Sequence, residues 1–163
     1  MKGKHIMGGM LGFTAVFAGS LWYFQNYAFY EVDTPDRFDM TLVSVVSGAP
    51  ETIAASGFTV LDAETSPLKF RACFRVQNSI PMMTESYEIY DAATPLQPPA
   101  WFDCFDHVRI TEDLASGEAV AFLSQKEIED GVDRVVAVYD DGRAYAWHQL
   151  NDKYAEKTDK FEE

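Results

Sequence analysis

Between Ile6 and Tyr30 the chain carries no charged side chain. Within that stretch Ile6 to Phe24 reads IMGGMLGFTAVFAGSLWYF, 19 residues of mostly apolar character. At 1.5 Å per residue a helix of that length covers roughly 28 Å, close to the ~30 Å hydrocarbon core of a bilayer. Lys2, Lys4 and His5 stand before it, and Trp22, Tyr23, Tyr27 and Tyr30 gather at its end as an interfacial belt does. The reading is a transmembrane helix with aromatic belt over 6–30, preceded by a cytoplasmic stub over 1–5. By the positive-inside rule everything after Tyr30 then lies across the inner membrane, in the periplasm. A cleaved signal peptide is the competing expectation: Lys2 and Lys4 form an n-region, Ile6 to Val16 an h-region, and Val16-Phe17-Ala18 a cleavage site. Cleavage after Ala18 would leave the apolar, aromatic end GSLWYFQNYAFY, which argues for retention. No Cys follows the h-region, so no lipoprotein anchor is expected, and Glu31 to Glu163 is exported on either reading.

Gly8, Gly12, Ala15 and Gly19 recur along one face of this helix, where small residues let a second helix approach closely. The charge balance narrows the rest. The net charge is -13, and from Glu31 onward 11 basic residues face 26 acidic ones, a balance of -15. Phosphate backbones and anionic headgroups need clustered Lys and Arg, so no nucleic-acid partner is expected.

The exported part reads as one α+β domain over 38–150, a small, mainly antiparallel β-sheet with short helices, after a Pro35-containing juxtamembrane linker over 31–37. Strands are expected at Phe38 to Val46, Phe58 to Leu61 and Phe70 to Val76. In the last of these Phe70, Ala72, Phe74 and Val76 share one face and Arg71, Cys73 and Arg75 the other. Pro81, Pro95, Pro98 and Pro99 make Asn78 to Ala100 mostly loop, with an edge strand near Tyr87 to Tyr90. Two short helices should follow, one capped by Thr111 and stopped by Gly117, one from Ser124 and Glu127 in capping-box spacing to Gly131. Asp141-Gly142 predicts a two-residue hairpin turn that sets Val138 opposite Tyr145 and Val136 opposite Trp147. The polar tail, 151–163, reads as a frayed helix or as disordered.

Chemistry-bearing residues are few. An even cysteine count in an oxidising compartment predicts a disulfide between Cys73 and Cys104. The alternatives are a thiol made reactive by Arg71 and Arg75, and a weak metal set of Cys104, His107 and His148. Pro98, Pro99, Trp101, Phe102 and Phe105 form an aromatic knot that is either buried beside the disulfide or exposed as a docking patch. No nucleophile elbow, zinc-protease helix or glycine-rich phosphate loop occurs in the sequence, so no catalytic residue and no cofactor are assigned.

Through WFDCFD (Trp101 to Asp106) and GVDRVVAVYDDGRAYAWHQLN (Gly131 to Asn151) the chain resembles a family of short uncharacterised alphaproteobacterial proteins with one N-terminal membrane span and a small exported domain. The resemblance implies an inner-membrane or periplasmic setting and lends no site residues. Some members carry a histidine-kinase label, which this chain's lack of a phospho-acceptor helix and an ATP-binding glycine motif contradicts. The expected function is that of a non-enzymatic accessory or assembly protein. Its expected partners are the lipid bilayer and a larger inner-membrane complex, respiratory or photosynthetic. A periplasmic module binding a small anion or metal through Arg71, Arg75 and the Cys/His group is the runner-up, and an enzyme of unrecognised type the third reading.

Overall fold

The computed structural model describes residues 2–154, the side chain of Lys2 excepted, so the expectation for the tail from 155 onward lies outside the described residues. The chain divides into two units between Tyr30 and Glu31. The first is α1, Lys2–Asn26, whose side chains from Gly3 to Gln25 are all exposed. It is long and apolar enough to cross a membrane. A Cβ built on Gly8, Gly12 or Gly19 would meet nothing within 4 Å.

The second unit is an α+β domain around a six-stranded antiparallel sheet. Its strands are β1 (Glu31–Asp33), β4 (Ala55–Asp62), β5 (Arg71–Val76), β6 (Ala119–Glu129), β7 (Val132–Tyr139) and β8 (Arg143–Leu150), in spatial order β1-β4-β5-β8-β7-β6. β2 (Thr41–Val43) and β3 (Pro50–Thr52) form a separate hairpin. Alternation along β5 and β8 explains how both sheet faces are filled. Phe70, Ala72, Phe74 and Val76 join Val136, Val138, Ala144 and Ala146 on one face, covered by Met40 and Leu42 of the hairpin region and by Met83 of α2 (Ile80–Ser86). On the other face Trp147 and Tyr145 meet Phe105, and α3 (His107–Ser116) closes over β6 and β7. Tyr139 fastens α3 by donating its hydroxyl to the buried Asp113 carboxylate at 2.8 Å.

Several local expectations need correction. Residues 124–131 are not helical: Ser124 is a buried residue of β6, and Gly131 turns the chain into β7 with φ 82°. Both faces of the first half of β6 are covered, which erases the alternation that marks a strand. α3 is capped by Asp106, whose Oδ1 accepts from the Val108 and Arg109 amides at 3.1 Å, rather than by Thr111; Gly117 stops it as expected. The Asn78–Ala100 segment contains α2, because Pro81 sits in the first turn where its missing N–H costs nothing. The first strand shrinks to Thr41–Val43, and Val46 turns out to solvent at 92% exposure. The β7–β8 register is one residue from the two-residue-turn expectation. Val138 faces Ala144 and Val136 faces Ala146, because only Gly142 takes a positive φ and the turn holds an extra residue.

Candidate binding cleft

The polar residues that the sequence singled out go mainly to holding the fold together. Cys73 and Cys104 form a disulfide, which ties β5 to the loop before α3. Their sulfurs are therefore neither a reactive thiol nor metal ligands. The buried Arg71 guanidinium donates to the carbonyls of Leu68 and Leu96 at 2.8 and 2.9 Å, and Arg75 donates to the Asp141 carbonyl at 3.2 Å. The two arginines thus serve backbone acceptors and do not join the cysteines in an anion or metal site.

His148 is buried in a stack on Phe70, with ring centroids 4.3 Å apart. Its Nδ1 lies 2.6 Å from the Pro67 carbonyl, which can only accept, so Nδ1 carries the proton and Nε2 accepts from Arg134 Nε at 2.9 Å. Burial first, and the Arg134 charge second, push His148 down to about 3. Among the described residues no group of three His, Cys, Asp or Glu side chains could hold a metal. Within the aromatic knot, Pro99, Phe102 and Phe105 are buried and only Pro98 and Trp101 are half-exposed, so the knot covers the sheet and offers little docking surface.

The structure assembles a different site that sequence patterns did not reveal. Gln149, buried on β8, accepts at Oε1 from the Thr94 amide at 2.7 Å and from Trp147 Nε1 at 3.0 Å, and its Nε2 donates to the Ala92 carbonyl at 2.9 Å. One side chain thereby clamps the Pro-rich segment beside the end of β8. Between them opens a mostly apolar cavity of about 480 Å³ walled by Leu68, Leu96, Leu150 and Tyr154. Four of its lining residues, Tyr90, Ala92, Asn151 and Asp152, also line a second cavity of about 470 Å³, whose wall is rich in charged residues. The two make one cleft with an apolar and a polar end.

The polar end is built around Asp133, a buried carboxylate on β7. Its Oδ1 accepts from Asn151 Nδ2 at 2.8 Å and from the Glu127 amide at 3.0 Å, while its Oδ2 accepts from Tyr90 at 3.3 Å. Burial and the Asp133 charge push the Tyr90 hydroxyl up to about 12, so it stays a protonated donor. Glu127 sits where β6 loses register with β7 and takes a φ of 49°, an uncommon value for a residue with a Cβ. Its carboxylate receives the Gly131 amide and Asn151 Nδ2, which hold the bulge in place. Because the Asn151 NH2 faces two carboxylates, the amide cannot be reversed. Its Oδ1 is left buried with no hydrogen-bond partner among the described residues. The signals were present in the sequence as isolated Asp, Asn and Tyr residues, but the bulge that gathers them was not legible.

A long apolar helix joined to a disulfide-bonded, doubly covered antiparallel sheet with a cleft at the end of β8 defines the class. Residues 40–161 match the family of unknown function DUF6446, and the chain belongs to that family. The match begins at Met40, beyond α1, and takes in every cleft residue named above. No curated protein and no solved structure matches the chain.

Proposed function

We propose that this protein is a membrane-anchored accessory or assembly factor that works through protein contacts with a larger inner-membrane complex, its α+β domain on the periplasmic side. The observation that carries the reading is α1, a span-length apolar helix with exposed side chains from Gly3 to Gln25. An extended hydrophobic surface of that size needs lipid or a protein neighbour. Support for the exported side comes from the Cys73–Cys104 bond, since disulfides persist in oxidising compartments, and from Lys2 and Lys4 before the span. The exposed Val45, Val46 and Met82 add apolar surface of the kind protein contacts use.

Reporter fusions after Arg37 should be active only with reporters that work in the periplasm, and the mature protein should retain Met1 to Ala18. Mild-detergent purification with native mass spectrometry should then recover a stoichiometric complex. Gly12→Leu should stay inserted yet lose a partner that packs on the Gly8, Gly12, Ala15, Gly19 face, while Val16→Leu, off that face, keeps it. Equal recovery by both variants would make the span an anchor only, and absence of any stoichiometric partner would overturn the reading.

A further inference from the structure

We propose that the cleft at the end of β8 receives a cationic side chain, with its aliphatic neighbours, from an extended segment of the protein partner. This deepens the protein-contact reading and rests on it. The apolar cavity has the dimensions of a small-ligand pocket, and its walls, Leu68, Leu96, Leu150 and Tyr154, suit aliphatic side chains. The adjoining polar cavity carries the opposite requirement. Lys126 is held by Glu88 at 3.1 Å and Lys153 by Glu127 at 2.6 Å, which leaves Asp91, Asp133 and Asp152 without an ion-pair partner among the described residues. An anionic or neutral occupant would meet that surplus of negative charge unpaired; a cation meets it with complementary charge.

Hydrogen bonding points the same way. Asn151 lines both cavities, and its buried Oδ1 is an acceptor without a donor. An acceptor in a wall that also carries the exposed Asp91 and Asp152 carboxylates is matched by a group rich in N–H donors and lacking acceptors, as guanidinium is and, with fewer donors, ammonium. The apolar and polar cavities share Tyr90 and Asn151, so one residue can place its charged head at the polar end while its neighbours fill the apolar end. Aliphatic stems with charged heads divide their two parts in this way.

The test uses the full chain in lipid nanodiscs and three capped pentapeptides, acetyl-Ala-Leu-Arg-Leu-Ala-amide and its counterparts with citrulline or Glu in place of Arg. Citrulline keeps the shape of arginine and removes its charge. The side-chain amide resonances of Gln149 and Asn151 and the backbone amide of Tyr90 report on the cleft. The arginine peptide should shift all three, bind at least tenfold more tightly than the citrulline peptide, and exceed the Glu peptide by more. Asp91→Asn with Asp152→Asn, both exposed positions, should remove that preference while the rest of the spectrum is unchanged. Equal affinity for the arginine and citrulline peptides, or no shift at the cleft resonances, would overturn the proposal. Carrying the same double variant through the complex purification separates the two readings. Undiminished recovery of the partner by the variant overturns the role of the cleft and leaves protein contact standing, whereas a wild type that recovers no partner overturns protein contact and, with it, the partner as the source of the segment, whatever the peptides show.

Discussion

His148 shows at the scale of one residue how a sequence conceals the chemistry that a fold creates. Its place on the last hairpin was legible, because Val-rich and aromatic arms flank Asp141-Gly142. Its partners were not, since Pro67 lies 81 residues away in sequence and Arg134 reaches it only through the β7–β8 register. Folding holds the imidazole neutral, with a value near 3 against an ordinary 6.5. The unfolded chain therefore binds the extra proton between those values, so this residue's contribution is complete above about pH 6.5 and is lost as pH falls toward 3. The slope in that window is up to about 1.4 kcal/mol per pH unit. His148→Gln should start less stable at pH 7, having lost the stack on Phe70, yet depend less on pH between 6.5 and 4. Urea midpoints measured across that range, with parallel curves for wild type and variant, would remove His148 from the acid response.

At the scale of the element, the two Asp-Gly pairs of the chain show what local pattern can specify. Asp141-Gly142 predicts a hairpin because β-rich arms surround it, and a hairpin is what forms. Asp130-Gly131 carries the same turn chemistry, yet Ser124 and Glu127 in capping-box spacing suggested a helix that ended there. What decides between the two is burial on both faces of β6, a tertiary fact with no periodic signature. The cleft inherits that blindness, because Glu127 and Asp133 meet only once β6 is a bulged strand. Gly142 itself is tightly specified: it has φ 82°, and a Cβ there would stand 2.8 Å from the Val76 carbonyl oxygen. Gly57 shares a positive φ of 67° but faces open space. Gly142→Ala should therefore cost about 2 kcal/mol or more, against about 1 kcal/mol for Gly57→Ala, from conformational strain plus a backbone clash in the first case and strain alone in the second. Similar losses in chemical denaturation would show that the β8 turn yields more freely than its geometry implies.

At the scale of the whole molecule, the fold class and the span-length helix follow from composition and hydrophobic patterning, which are global properties. The pairing of Cys73 with Cys104 was legible for a simpler reason, that the chain offers no other cysteines. The bond closes a sequence separation of 31 residues, for which chain entropy gives roughly 3 to 4 kcal/mol. Replacing both cysteines by Ala should lower unfolding free energy by about that amount. The intact protein should show no free thiol on alkylation under non-reducing conditions. Two alkylated cysteines, or an unchanged stability in the double variant, would contradict the bridge.

The strand order carries a further consequence for biogenesis. β8 is the last strand among the described residues but lies between β5 and β7, in the middle of the sheet. Translation from the N-terminus therefore delivers β1-β4-β5 and β6-β7 as two strand groups that share no ladder pairing until β8 has been made. A nascent chain arrested before that point presents two open sheet edges, each a template for pairing with a neighbouring polypeptide. Release of Arg143–Leu150 becomes the step that commits the chain to its own fold, and quality control acting on stalled products would have those two unpaired edges to recognise.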